Sequence, residues 1–179
     1  MTQNLPLDPA VESPRLHGLA PVADARTRVL VLGSFPSKAS LQAGAYYAHP
    51  RNQFWPLLSV LFDVDLRAMD YARRLDEVRA RGLGIWDVYA SCQREGSLDS
   101  DIVAAQPNDL PALVARLARL EAIVHNGGES ARSMRLTRGL CPETERLPST
   151  SPANASWSFA RKVAAWRAVF ARHGLCAAS

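Results

Sequence analysis

Three short, mostly apolar runs and one weaker segment, each ending at a turn residue, alternate along this chain with stretches of helical periodicity. In residues 28–34 (RVLVLGS) nearly every position is apolar, which is typical of a strand buried on both faces of a parallel sheet. We predict strands over residues 28–34, 83–91, 121–126 and 145–148, and helices from Asn52, over 71–81, from Asn108, over 129–136 and over 156–173. This alternation predicts an α/β fold with three layers, α/β/α, around a mostly parallel four-stranded sheet.

The length of 179 residues fits one domain. Prolines 6, 9, 14 and 21 fall in a stretch with little periodicity, so we predict an irregular N-terminal lead-in over residues 1–25 and a single domain over 26–179. No apolar run approaches the ~18 residues that a membrane span needs, and the first residues lack a signal-peptide pattern. We therefore expect a cytoplasmic protein with no membrane partner, and we take it to be a monomer.

The cysteines and histidines indicate neither a cofactor nor a metal. Cys92, Cys141 and Cys176 are far apart with no Cys-x-x-Cys pair, and the four histidines show no ligand spacing. The 21 basic and 17 acidic residues leave a net charge of +4, which favours an anionic partner. All but two of the basic residues are arginine, which suits phosphate contacts but equally follows from a bias in genome composition.

The loops that follow the predicted strands are the candidate site, because ligands of open parallel sheets bind where loops leave the carboxyl ends of strands. These loops are rich in polar and turn residues. They comprise residues 33–37 (GSFPS), 87–91 with 96–99, 125–128 (HNGG) and 147–154 (LPSTSPAN). We expect them to converge on one edge of the sheet.

Three of these motifs carry a resemblance to a known family: GSFPS, YYAHPRNQFW at residues 46–55, and LPSTSPAN. In this order they resemble the uracil-DNA glycosylase superfamily, most closely its hypoxanthine-DNA (deoxyinosine) glycosylase branch, and they are similar to the mismatch-specific uracil-DNA glycosylases. The resemblance covers residues 28–173. It implies a monofunctional DNA glycosylase that excises deaminated bases, hypoxanthine first, from double- or single-stranded DNA without a cofactor.

Two alternatives remain open beside this function. One is a uracil-DNA glycosylase of the mismatch-specific type, and the other is a catalytically weak DNA-binding module on the same fold. The superfamily usually carries an Asp or Asn two positions after the first glycine of GSFPS, and this chain has Phe35 there. A hydrolase of small molecules is disfavoured, since the chain lacks a Gly-x-Ser-x-Gly motif.

The resemblance places the catalytic role on Asn52, the asparagine of HPRN. An amide cannot remove a proton at neutral pH, so its role would be to hold a water below the anomeric carbon. From the residues alone, Asn52 is equally a helix cap, and the two roles are compatible.

The remaining candidates are assigned to the flipped base or to the DNA backbone. Tyr47 resembles the stacking aromatic of the mismatch-specific branch, with Tyr46 and Phe54 as neighbours that could replace it or pack in the core. The substrate-binding candidates are Gly33, Ser34, Phe35, Pro36, Tyr47, His49, Phe54, Asp87 and Asn126. The DNA-binding candidates are Ser37, Arg51, Ser149, Ser151 and Asn154, for which turn chemistry or plain solvation is the alternative. The small residues 153–156 replace the leucine wedge of the uracil-specific branch, which leaves the residue that fills the vacated base stack unidentified.

Overall fold

A four-stranded, fully parallel sheet organises the computed structural model, which describes residues 14–96 and 98–177. The strands are β1 (Arg15–His17), β2 (Val29–Gly33), β3 (Leu83–Asp87), β4 (Tyr89–Gln93), β5 (Val103–Pro107), β6 (Ala122–Asn126) and β7 (Glu143–Leu147). The strand order in the parallel sheet is β3-β2-β6-β7. The helices are α1 (Lys38–Ala43), α2 (Phe54–Phe62), α3 (Tyr71–Ala80), α4 (Leu110–Val114), α5 (Gly128–Ala131) and α6 (Phe159–Arg172). Short 3₁₀ turns span Leu66–Ala68, Asp99–Asp101 and Met134–Leu136.

Burial explains why the central strands carry apolar residues at successive positions. Every residue of β2 and β3 is buried, as are the first four residues of β6. Such strands need helices on both faces of the sheet, which is the predicted three-layer α/β/α arrangement. The prediction of a mostly parallel four-stranded sheet is confirmed, and its members are the four predicted runs.

The register of the strands brings their carboxyl ends to one level. Gly33 at the end of β2 pairs with Asp87 at the end of β3, and Asn126 at the end of β6 pairs with Leu147 at the end of β7. Since β3 and β6 flank β2 on opposite sides, the chain reverses its direction of winding at β2. Ligands of open α/β sheets bind at such a switch point.

The structure differs from the sequence prediction in a second, antiparallel sheet with strand order β1-β4-β5. The strand predicted over residues 83–91 is two strands, because the chain leaves the parallel sheet at Val88 and its continuation, β4, pairs with β1 and β5. Of the predicted irregular lead-in, residues 1–13 lie outside the described residues, and Arg15–His17 form the strand β1. The strand β5 has the sequence VAAQP, which lacks the alternation that would have marked it.

An aromatic cluster fixes the position of α2 against α6. The ring of Trp166 lies edge-on to the rings of Phe54 and Phe170, with centroids 6.1 and 5.6 Å away, and Phe62 stacks on Phe170 at 6.2 Å. Trp166, Phe54 and Phe170 are fully buried. This packing holds the N-terminus of α2, which follows Asn52, beside the carboxyl ends of the strands.

Candidate active site

A cavity of about 800 Å³ opens at the carboxyl ends of the parallel strands. Twelve of the sequence-predicted site residues line it, from loops that are far apart along the chain. They are Gly33, Ser34, Phe35, Pro36, Ser37, Tyr47, Asn52, Asp87, Asn126, Ser149, Ser151 and Asn154. The predicted convergence of the four loops is therefore confirmed.

Three predicted residues do not line this cavity. Phe54 is fully buried, with its ring stacked under that of Tyr47 at a centroid distance of 3.8 Å. It is the first residue of α2 and faces the core, so it supports Tyr47 and does not itself meet a ligand. The other two, His49 and Arg51, lie outside the cavity and contact each other, since the Arg51 backbone N–H donates to Nδ1 of His49 over 3.2 Å.

The side chain of Asn52, one residue before the N-cap position Gln53, caps the first turn of α2 and also lines the cavity. Its Oδ1 accepts a hydrogen bond from the Phe54 backbone N–H over 2.9 Å, and the Asn52 backbone N–H donates to the carbonyl oxygen of His49, also over 2.9 Å. The cap fixes which end of the amide is the oxygen. A carbonyl oxygen has two lone pairs, so the same Oδ1 can accept from a water in the cavity. The cap and the proposed catalytic role are thus compatible in one side chain.

Tyr47 adopts the left-handed backbone conformation, with φ at +55°, which is costly for an aromatic residue. The preceding residue is held from two sides: the Tyr46 N–H donates to the hydroxyl of Tyr71 over 2.9 Å, and Nε1 of Trp55 donates to the Tyr46 carbonyl over 3.0 Å. These contacts maintain the strained conformation. As a result the Tyr47 ring lies flat on Phe54 at the cavity wall.

Asn126 ties β6 to the loop that follows β7. Its Nδ2 donates to Oγ1 of Thr150 over 2.9 Å and to the hydroxyl of Tyr47 over 3.2 Å, and its Oδ1 accepts from the Thr150 backbone N–H over 2.9 Å. The sequence analysis gives Asn126 as a substrate-binding candidate. The structure shows that it links three loops of the site.

Gly33 is a glycine because of Asp87. A Cβ atom at residue 33 would lie 2.3 Å from Oδ1 of Asp87, so only glycine leaves room for this carboxylate over the end of β2. Asp87 is 4% exposed and lines the cavity. Burial, and secondarily the charge of Asp87, raise the pKa of the nearby Tyr46 phenol, whose hydroxyl donates to backbone carbonyls of residues 19 and 20. Tyr46 therefore stays neutral.

The serines proposed to contact DNA all take part in local turns. Oγ of Ser37 accepts from the Ser40 N–H over 3.2 Å and caps α1. Oγ of Ser149 accepts from the Ser151 N–H over 3.1 Å, and Oγ of Ser151 accepts from the Ala153 N–H over 3.3 Å. Turn chemistry is thus present at each serine, while each also faces the cavity.

Lys162 is a site residue that sequence reasoning missed in this role. It lies on α6, is 1% exposed, and donates through Nζ to Oε1 of Gln53 over 2.8 Å and to the carbonyl of Asn154 over 2.9 Å. It thereby joins the residue after Asn52 to the last loop of the site. Burial lowers the pKa of its ammonium group. The sequence held one indication of this position, because Lys162 lies four residues before Trp166 and therefore on the same face of α6.

Within residues 14–96 and 98–177 no group of three or more His, Cys, Asp or Glu side chains is placed to hold a metal ion. No helix in this part of the chain is long and apolar enough to cross a membrane.

The chain is similar to known proteins of one family. Residues 20–170 match the profile of a family described as the uracil DNA glycosylase superfamily. The chain is 38% identical over 157 residues to a protein of Methanosarcina acetivorans, and 34% identical over 156 residues to one of Methanosarcina barkeri; both are named hypoxanthine DNA glycosylase. The matches span 88% and 87% of this chain and 98% of each relative.

A solved structure has the same fold. It is a solution NMR structure of a Methanosarcina acetivorans protein described as a candidate uracil DNA glycosylase. It superposes with a TM-score of 0.80 at 36% identity, and the match covers 89% of this chain and 99% of that protein. The chain therefore belongs to the uracil DNA glycosylase superfamily.

Proposed function

We propose that this protein is a monofunctional DNA glycosylase that hydrolyses the N-glycosidic bond of deaminated bases in DNA, with hypoxanthine as the preferred base. The observation that carries the proposal is that Tyr47 and Asn52, from the loop before α2, line one cavity at the strand ends together with Asn126 from the end of β6. The names of the two Methanosarcina relatives support the choice of hypoxanthine. The proposal includes a monomeric, cytoplasmic enzyme, and size-exclusion chromatography tests the first of these properties.

In the proposed complex a base leaves the DNA stack and enters the cavity, where its ring lies on Tyr47. The buried ring of Phe54 packs behind the Tyr47 ring, with the two centroids 3.8 Å apart, and holds Tyr47 in position for stacking. Asp87 faces the pairing edge of the base in this proposal. A carboxylate accepts from the ring N–H that hypoxanthine and uracil carry and adenine lacks, so it discriminates deaminated bases from adenine.

Asn52 holds the attacking water in the proposed reaction. Cleavage of the glycosidic bond passes through an oxocarbenium-like sugar, by analogy with glycoside hydrolysis, so positioning of the water matters more than the strength of a base. The cap on the Phe54 N–H fixes the Asn52 amide in place before the substrate arrives. The water then adds to the anomeric carbon, its proton passes to solvent, and the base departs with the bonding electrons.

Phe35 keeps the weaker DNA-binding module as a second candidate. It occupies the position of the usual catalytic side chain and is 6% exposed, with the guanidinium of Arg94 over its ring at 5.2 Å. Nη2 of Arg94 also donates to the Pro36 carbonyl over 2.6 Å. The apolar Phe35 ring and its contact with Arg94 stabilise the loop but offer no polar atom to a water. In our proposal the water is therefore held by Asn52.

The assignment as a monofunctional enzyme rests on the positions of the two lysine side chains, Lys38 and Lys162. Cutting the DNA backbone by a lyase step needs an amine that forms a Schiff base with the sugar. Nζ of Lys38 donates to the Glu95 carbonyl over 2.5 Å, and Lys162 is buried beneath the last loop. Neither of them lines the cavity.

The test incubates the protein with duplexes that carry inosine, uracil or no lesion, and measures strand breaks with and without alkali. We expect free hypoxanthine and breaks only after alkali, uracil release at a lower rate, and no reaction on undamaged DNA. Faster release of uracil would favour the mismatch-specific type, and DNA binding without release would favour the binding module. A covalent adduct trapped by borohydride that disappears in Lys38→Ala would overturn the monofunctional assignment.

A further inference from the structure

Two exposed apolar side chains stand at the mouth of the cavity. Leu98, in the connection from β4 to β5, is 57% exposed, and Trp157, just before α6, is 36% exposed. Both line the cavity, whereas the exposed Val60 and Val103 do not. An exposed tryptophan beside a polar cavity indicates a surface that contacts a partner. Burial of its large apolar indole against that partner lowers the free energy of the complex.

The backbone holds Trp157 firmly on both sides. After it, Ser158 caps α6 by accepting from the Arg161 N–H over 3.3 Å. Before it, Oγ of Ser156 donates to Oδ1 of Asn154 over 3.0 Å, and the Asn154 carbonyl is fixed by the buried Lys162. The indole is thus presented from a rigid segment.

One face of the indole is already occupied. The guanidinium carbon of Arg161 lies 4.5 Å from the centroid of the Trp157 ring, in the geometry of a cation–π contact. The arginine orients the ring and brings a positive charge to it. A partner that suits this pair is flat, aromatic and attached to a negative charge, which describes a nucleobase on its phosphate backbone.

We propose that Trp157, with Arg161 on one face of its ring, enters the position that the extruded base vacates and stacks its other face on the neighbouring base pair. This inference rests on the proposed function. Residues 153–156 (Ala-Asn-Ala-Ser) are too small to fill a vacated base step, and Trp157 is the first large side chain after them. Apolar wedges between base steps stabilise distorted duplexes in this way. The other exposed apolar side chain at the cavity mouth, Leu98, is aliphatic and has no flat ring to stack on a base, so we assign the role to Trp157.

The duplex dependence of the reaction tests this role. A single strand has no vacated step to fill, so Trp157→Ala lowers kcat/KM on a duplex with inosine by about tenfold or more, while on single-stranded inosine DNA it changes kcat/KM less than about twofold. Trp157→Phe keeps most of the duplex activity. Val60→Ala removes an exposed apolar side chain away from the cavity and serves as the matched control, with no loss on either substrate.

Fluorescence gives a readout that does not depend on activity. The other three tryptophans, Trp55, Trp86 and Trp166, are 9% exposed or less, so a duplex with a stable abasic-site analogue quenches chiefly Trp157. The quenching is lost in Trp157→Phe. Equal losses of activity on both substrates, or quenching unchanged in Trp157→Phe, would overturn the wedge. Absence of base release by the wild type would instead overturn the proposed function, while the quenching would still report on Trp157.

Discussion

Asn52 shows how one side chain can carry a structural and a chemical role. Its Oδ1 is committed to the Phe54 N–H by the cap, and the same amide faces the cavity. Removing such a cap costs about 0.5–2 kcal/mol. Loss of activity in Asn52→Ala would therefore mix a stability effect with a catalytic one, and a variant that retains the cap is needed to separate them.

Tyr47 is the residue at which stacking is tested. Tyr47→Ala removes the aromatic face, and we expect productive binding of an inosine duplex to weaken by about 1–3 kcal/mol, read as a rise in KM. Tyr47→Phe keeps the ring and loses the hydroxyl that accepts from Asn126, so its KM stays close to that of the wild type. If circular dichroism shows that Tyr47→Ala is unfolded, or if the KM of this variant is unchanged, the ring has a packing role only.

The sequence was sufficient to predict that Asn52 and Tyr47 line the cavity, but the same motif wrongly predicted this of His49 and Arg51. The sequence was also insufficient for Phe54, because the direction of the first side chain of a helix depends on how that helix packs, here against Trp166. Lys162 was missed for a related reason. A lysine in an apolar stripe reads as a surface residue until the loop that covers it is placed.

At the scale of elements, β7 gave a weaker signal, since its sequence ETERL is polar and only its last residue is buried. The strands β2, β3 and β6 were predictable because their residues are nearly all buried and mostly apolar. The strands β1 and β5 were not, since they are short edges whose residues are largely exposed. The division of the run over 83–91 also escaped prediction. Nothing local marks Val88 as the point of departure, which is set by pairing of β4 with β1 and β5.

Lys162 joins α6, the start of α2 and the last loop of the site, so its removal tests that connection. In Lys162→Met two hydrogen bonds are lost, but the cost of burying a cation is removed too, and we expect the free energy of unfolding to change by less than about 2 kcal/mol. Base release should fall about tenfold in kcat with a smaller change in KM, because Asn52 and the loop lose their common support.

Arg167→Met, a surface cation on the same helix, is the control and should leave both kinetic constants unchanged. A large loss of stability with normal kcat in Lys162→Met would mean that this lysine serves folding only.

At the scale of the whole molecule, stability should depend on pH through His125. This residue is fully buried, with its ring nitrogens 2.8 and 2.9 Å from hydroxyls of Ser130 and Thr137. Burial lowers its pKa from 6.5 to about 4. As the pH falls below 6.5, His125 binds a proton in the unfolded chain but stays neutral in the folded protein. This contribution to the free energy of unfolding is therefore present above pH 6.5 and declines as the pH falls towards 4.

We expect His125 to remove about 2 kcal/mol of unfolding free energy between pH 7 and pH 5, measured by urea denaturation. His125→Gln has no such proton to bind and should show a correspondingly flatter slope over this range. Equal slopes for the two proteins would show that the histidine is not kept neutral in the folded state.

The central claim is that the Asn52 amide drives base release from this cavity. Serine at residue 52 also caps a helix, yet it has no amide to hold the water. Single-turnover release of hypoxanthine from an inosine duplex by Asn52→Ser therefore tests the claim most directly, with unfolding and DNA affinity measured on the same sample. We predict wild-type stability, affinity within a few-fold, and release slower by about 100-fold or more. Release at a rate close to that of the wild type would contradict the account.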